Sequence, residues 1–152
     1  MMDHPHWTQN NEDKYNIGIT FGAFDLCHAG HVLMFAEAKE VCKTLIVGLQ
    51  TDPSIERPSK NRPVQSLYER YIQLQAVKYV DKIIPYTYED EIMQILFTQD
   101  IDVRIIGADY IDKEFTGKQF CIEEGMHIYY NSRGHSFSST ELRGRIGNNT
   151  TK

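Results

Sequence analysis

The chain has 152 residues, 41% of them hydrophobic and 24% charged, and carries a net charge of -5. That length suits one domain around a single core, and the acidic balance argues against a nucleic-acid partner or an anionic membrane, which select a basic face. Cys27, Cys42 and Cys121 are odd in number and lack metal-ligand spacing, so they read as reduced structural thiols rather than a disulfide framework or a zinc site.

Residues 1–14 are polar, with Trp7 their one large apolar group, and read as a flexible N-terminal arm. Residues 15–147 form the expected folded domain and 148–152 a C-terminal tail. Nothing at the start resembles a signal peptide, and no apolar run approaches the ~20 residues of a membrane span. The expectation is a cytoplasmic protein with no membrane insertion.

Ile17, Ile19 and Phe21 mark a first buried strand, and Val32, Phe35 and Ala36 recur at helical spacing behind it. Between them, Gly22-Ala23-Phe24-Asp25-Leu26-Cys27-His28-Ala29-Gly30-His31 is a strand-to-helix turn, the place where an α/β sheet binds phosphates. Gly22 allows a close backbone approach, and a helix starting near Ala29 points its N–H groups and positive dipole end at the same spot. His28 and His31, three apart, project to one side, each with a ring N–H to offer an anionic oxygen. The alternative for His31 is a capping or packing role.

Thr44 to Leu49 reads as a second strand, stopped at Thr51-Asp52-Pro53. Ser54 to Gln65 is an aperiodic loop carrying Arg57, Lys60 and Arg62, either merely solvated or in contact with an anionic substrate. Leu67 to Val77 gives a second helix, Lys82 to Ile84 a short strand ended by Pro85, and Glu89 to Phe97 a third helix. Val103 to Ile106 is a buried fourth strand ending at Gly107, Lys113 to Glu124 a weaker helix, and Met126 to Tyr130 a fifth strand. Ser138-Ser139-Thr140-Glu141 is a capping box that opens a last helix. Such alternation implies an α/β fold, a Rossmann-like doubly wound five-stranded parallel sheet in a single domain.

Several motifs in fixed order resemble the HxGH nucleotidyltransferase superfamily, and within it the cytidylyltransferases. They are His28-Ala29-Gly30-His31, Arg62-Pro63-Val64 with Glu69-Arg70, Tyr79 to Pro85, Gly107-Ala108-Asp109-Tyr110, and Arg133 followed by Ser138-Ser139-Thr140. The resemblance implies strand order 3-2-1-4-5, with the ligand at the switch point beside the first strand. It also implies transfer of CMP from CTP to a small alcohol phosphate, foremost glycerol 3-phosphate, with release of pyrophosphate. The Arg-Pro-Val with Glu-Arg and the His-Ala-Gly-His forms also resemble ATP-dependent adenylyltransferases acting on a sugar phosphate such as heptose 1-phosphate, the alternative to that reading. A reading of another class is a non-catalytic nucleotide-binding sensor.

Under this resemblance His28, His31, Arg70 and Lys78 are the catalytic candidates. Gly22, Ala23, Phe24, Gly30, Asp109, Arg133, Ser138, Ser139 and Thr140 are the nucleotide-binding ones. Asp25, Lys60, Arg62 and Lys78 are candidates for holding the second substrate. Asp25 has the alternative of bracing its turn, and Arg70 that of a surface ion pair with Glu69 or Asp81. Ala23 stands where threonine is usual, and Lys78 where arginine is common. Mg²⁺ is expected as the nucleotide's counter-ion, held by phosphates and water rather than a protein site, and a homodimer is the expected assembly.

Overall fold

A computed structural model describes residues 13–132 and 137–149. Most of the expected N-terminal arm, Arg133 and the last residues of the expected tail therefore lie outside the described residues. Tyr15–Gly22 forms β1, Ala29–Val41 α1, Cys42–Gln50 β2, Leu67–Ala76 α2 and Lys82–Tyr86 β3. Then follow α3 (Asp90–Thr98), β4 (Val103–Gly107), α4 (Lys118–Glu123), β5 (His127–Asn131) and α5 (Ser139–Asn149). All the strand pairings are parallel, in the order β3-β2-β1-β4-β5. This is the expected doubly wound sheet.

Side chains alternate across a strand, and here both faces are apolar. Leu45, Val47, Leu49, Val103 and Ile105 pack with Phe35 of α1 and Leu74 of α2. On the other face Ile19 and Ile46 pack with Ile92, Ile95 and Leu96 of α3 and Cys121 of α4. Two buried faces explain why the strands read as continuous apolar runs rather than alternating ones.

Three boundaries differ from expectation for local reasons. Pro85 does not end β3, which continues through Tyr86. The strand lies at the sheet edge and pairs only with β2, so the missing N–H is not needed. The weak helix expected from Lys113 starts only at Lys118, after Gly117 takes a left-handed conformation with φ +86°. The last helix runs to Asn149, into the segment expected as tail. Among the described residues no helix is long and apolar enough to cross a membrane.

Candidate active site

The turn after β1 is bent by residues other than glycine. Phe24 and Leu26 take positive φ, 49° and 52°, a conformation that L side chains rarely adopt. Packing holds Phe24, which is buried with its ring centroid 5.1 Å from Phe35 and 5.4 Å from His31, and the Leu26 N–H donates to Gln65 Oε1 at 2.8 Å. Gly22 leaves room for the Phe24 ring, since a Cβ there would sit 3.1 Å from it, tighter than ordinary contact.

His28 is the N-cap of α1. Its Nδ1 accepts from the Gly30 N–H at 3.0 Å, while its own backbone N–H donates to His31 Nδ1 at 3.3 Å. The two rings stack with centroids 3.9 Å apart. Because both Nδ1 atoms accept, each neutral ring carries its proton on Nε2, the atom away from the helix backbone. The expected pairing of the histidines is therefore built by reciprocal capping, and both line a cavity of about 580 Å³.

Gly22, Ala23, Phe24, Gly30, Ser138, Ser139 and Thr140 line that same cavity, as does Lys60 from the basic loop. Ser138 caps α5, its Oγ accepting from Glu141 N–H at 3.0 Å, and Ser139 Oγ donates to the Asp25 carbonyl at 3.3 Å. Two helix N-termini, those of α1 and α5, thus open on one space, each bringing the positive end of a helix dipole.

Other candidates fall elsewhere. Arg70, a catalytic candidate, is instead 1% exposed, with four of its five guanidinium N–H groups donating to backbone carbonyls. It donates to the carbonyls of Gln65, Ala23, Gln50 and Thr51. Neither surface partner considered for it is used: Glu69 caps α2 at Ser66, and Asp81 pairs with Lys39 at 2.7 Å. Burial pulls its guanidinium down from the usual range, with Asp25 and Asp52 offsetting part of this.

Asp25 braces the turn rather than facing the cavity. Its carboxylate accepts from the N–H groups of Val64 (2.8 Å) and Gln65 (2.9 Å) and from Arg143 of α5 (2.7 Å). Burial alone raises its pKa, but these hydrogen bonds outweigh it and hold the carboxyl below its usual range. Lys78 is exposed before β3, at the end of the sheet remote from the cavity, with its ammonium over the Tyr79 ring. That removes it from a catalytic or substrate-binding place within its own chain. Arg62 is exposed and 4.0 Å from Asp52, outside the cavity lining, and Asp109 sits on the turn after β4 between cavity residues Gly107 and Tyr110 without lining it.

Four buried polar residues that line the cavity went unread in the sequence, Thr20 and Gln50 among them. Asn131, at the end of β5, and Arg104, in β4, are each 4% exposed, and both line the cavity. Cys27, Cys42 and Cys121 are free thiols, and burial pushes Cys42 up to about 11. A thiolate nucleophile is not available there.

A cleft at the carboxyl ends of the strands, where the sheet order reverses, is where doubly wound folds bind their ligands. With the stacked histidine pair at its wall, it has the site of the HxGH nucleotidyltransferase superfamily, to which the chain belongs. More narrowly, the chain belongs to the cytidylyltransferase-like family, whose model matches residues 19–145. It is 34% identical to the bifunctional protein HldE of a Caulobacter species over 131 residues, 86% of this chain and 27% of that protein. With the HldE of Helicobacter pylori it shares 34% identity over 128 residues, 84% of this chain and 27% of the relative. The chain thus spans about a quarter of the length of these curated relatives.

Among solved structures, a lipopolysaccharide core biosynthesis protein from Thermoplasma volcanium superposes with TM-score 0.62 at 20% identity, covering 80% of this chain and 98% of that one. A bifunctional NMN adenylyltransferase/ADP-ribose pyrophosphatase from Francisella tularensis superposes with TM-score 0.57 at 19% identity, over 88% of this chain and 42% of that one. At such identities the likeness is one of fold.

Proposed function

We propose that the chain transfers a nucleotidyl group from a nucleoside triphosphate to a small phosphorylated sugar or polyol, with ATP and a sugar phosphate such as heptose 1-phosphate as the first reading. An oxygen of the acceptor's phosphate attacks the α-phosphorus, the α–β bridging bond breaks, and pyrophosphate leaves with the electron pair. No covalent enzyme intermediate is needed, so catalysis consists of positioning and of steadying charge on the α-phosphoryl oxygens and the leaving group.

The observation that carries this reading is the pair of imidazoles at the mouth of α1, both held by Nδ1 and directing Nε2–H away from the helix, on a cavity that the α5 N-terminus also enters. His28 and His31 donate to the α-phosphate and the leaving group. Ser138, Ser139 and Thr140 hold the phosphates from α5, and Gly22, Ala23, Phe24 and Gly30 form the nucleotide's bed. By the family resemblance Asp109, on the turn between cavity residues Gly107 and Tyr110, belongs near the ribose or base, and Arg133 near the base and phosphates. Lys60, on the exposed loop, meets the triphosphate or acceptor from above.

The preference for ATP and a sugar phosphate rests on the identity with HldE proteins, together with the Arg-Pro-Val and His-Ala-Gly-His motifs. A second reading, CTP with glycerol 3-phosphate, draws on the cytidylyltransferase-like match. Mg²⁺ is expected as the counter-ion of the nucleotide's own phosphates, and no step is routed through it. A homodimer is the assembly we expect, to be measured by sedimentation equilibrium.

The test is pyrophosphate release from ATP and from CTP with heptose 1-phosphate, glycerol 3-phosphate, phosphocholine and phosphoethanolamine. Turnover with ATP and the sugar phosphate is expected. Turnover confined to CTP and glycerol 3-phosphate would transfer the assignment to the second reading, and nucleotide binding with no pyrophosphate from any acceptor would leave a sensor.

A further inference from the structure

The cavity extends past the histidines onto the α3 face of the sheet, and there it meets Arg104. In β4 the neighbours Val103 and Ile105 belong to the α1 face, so alternation sends Arg104 to the other. Its guanidinium carbon lies 5.1 Å from the Phe21 ring centroid and 4.7 Å from that of Phe115. It donates to the Thr116 carbonyl and has the Cys121 thiol beside it. Among the described residues no carboxylate comes within ion-pair distance of it. Burial draws its pKa down, yet a guanidinium stays charged.

A buried cation without a counter-ion is costly, several kcal/mol by the usual scale of such penalties. Here the cation is not sealed in, because it lines an open cavity. The flanking rings fix the plane of the fork and exclude water around it, which strengthens any charge-assisted hydrogen bond made there. At the rim, Glu89 is held 3.4 Å from Arg57, offering a carboxylate for hydroxyl groups and a second cation from the loop.

We propose that this lobe is the acceptor's seat, with Arg104 binding the acceptor's phosphate and Glu89 its hydroxyl groups, while the nucleotide occupies the lobe of the histidines and α5. The inference rests on the transfer reading above and adds to it which wall selects the second substrate. A fork fixed between two rings favours a dianionic phosphate on a polyhydroxylated carrier over one bearing a bulky cation.

Steady-state kinetics with the best acceptor of the panel provide the test. Arg104→Gln raises the acceptor KM roughly 10- to 100-fold, the loss of one hydrogen-bonded charge pair, while the nucleotide KM stays within about twofold on the same scale of error. Arg104→Lys recovers part of the loss. Since Arg104 is packed in the interior, the wild-type protein supplies a second measurement: methyl NMR during titration with glycerol 3-phosphate. A shift of Ile92, which lines this lobe, with Met34 of the histidine lobe unmoved, supports the assignment. Turnover with an unmoved acceptor KM in folded variants, or a titration that moves Met34 and not Ile92, overturns the lobe and leaves the transfer reading standing. A shift of Ile92 without pyrophosphate release from any acceptor keeps an anion-binding lobe and defeats the transfer reading.

Discussion

At the level of single residues, His28 carries a structural role and a proposed chemical one, which substitution can separate. Its Nδ1 caps α1 through Gly30 N–H, and the proposed role belongs to the rest of the ring. His28→Ala removes both, lowering stability by about 1 kcal/mol, the usual worth of a cap, or ~2–4 °C in melting temperature. His28→Asn restores a capping acceptor, so its melting point recovers while turnover remains lower by roughly 10²- to 10³-fold, as for loss of a preorganised donor. Recovery of both would show that the imidazole matters only as a cap.

Arg70 behaves in the opposite way. With four backbone carbonyls depending on it, Arg70→Gln costs on the order of 3 kcal/mol in denaturant unfolding. The histidines were legible because two imidazoles and a glycine in a strand-to-helix turn have few structural uses. Arg104 was not, since one arginine inside Val103 to Ile106 gives no sign in a linear reading of which face it takes. Nor does the sequence reveal that Arg70 would be swallowed by loops from Ala23, Gln50 and Thr51.

At the level of elements, Asp25 is the knot joining the β1–α1 turn, the loop before α2 and α5. Hydrogen bonds hold its carboxyl below the usual range, so the folded chain binds fewer protons there than the unfolded one. The stability it contributes is complete above pH about 4, the ordinary carboxylate value, and is lost as pH falls through the lower folded value. Acid unfolding of Asp25→Asn therefore shows a shallower loss of stability below that pH than the wild type, from a lower plateau. An identical slope would mean the carboxylate is not held as described.

Gly117, with φ +86°, opens α4, and a Cβ there would lie 2.8 Å from Leu96 and 2.9 Å from the Arg104 guanidinium. Gly117→Ala is expected to cost about 1–3 kcal/mol, the range for a strained backbone position, measured by thermal melting. The strands could be read from short apolar runs, and most helices from apolar residues at helical spacing or from a capping pattern. The capping box of Ser66 and Glu69 followed the same Ser-x-x-Glu rule as the one at α5 and could have been found beforehand. The Asp25–Arg143 pair could not, as it joins residues 118 apart with no local pattern.

At the level of the whole molecule, the reversal of strand order at β1 and β4 opens one cleft that touches both faces of the sheet. The α1 face brings the histidines and, with α5, the N-terminal ends of two helices. The α3 face brings a buried cation between two rings. Lys78 shows the limit of reading motifs without topology: it follows Arg70 closely in sequence but lies at the opposite end of the strands from the cavity. An acidic chain can serve anionic substrates because its positive potential is local, in helix ends and a few cations, rather than spread over the surface.

The most direct test of the account is to follow α- and γ-labelled ATP separately in one reaction with purified protein and heptose 1-phosphate. The account predicts that the α label passes to the sugar phosphate and the γ label leaves in pyrophosphate, in equal amounts, and that both slow together in His28→Asn. Label appearing as free phosphate and ADP, or no consumption of nucleotide with any acceptor, would contradict it.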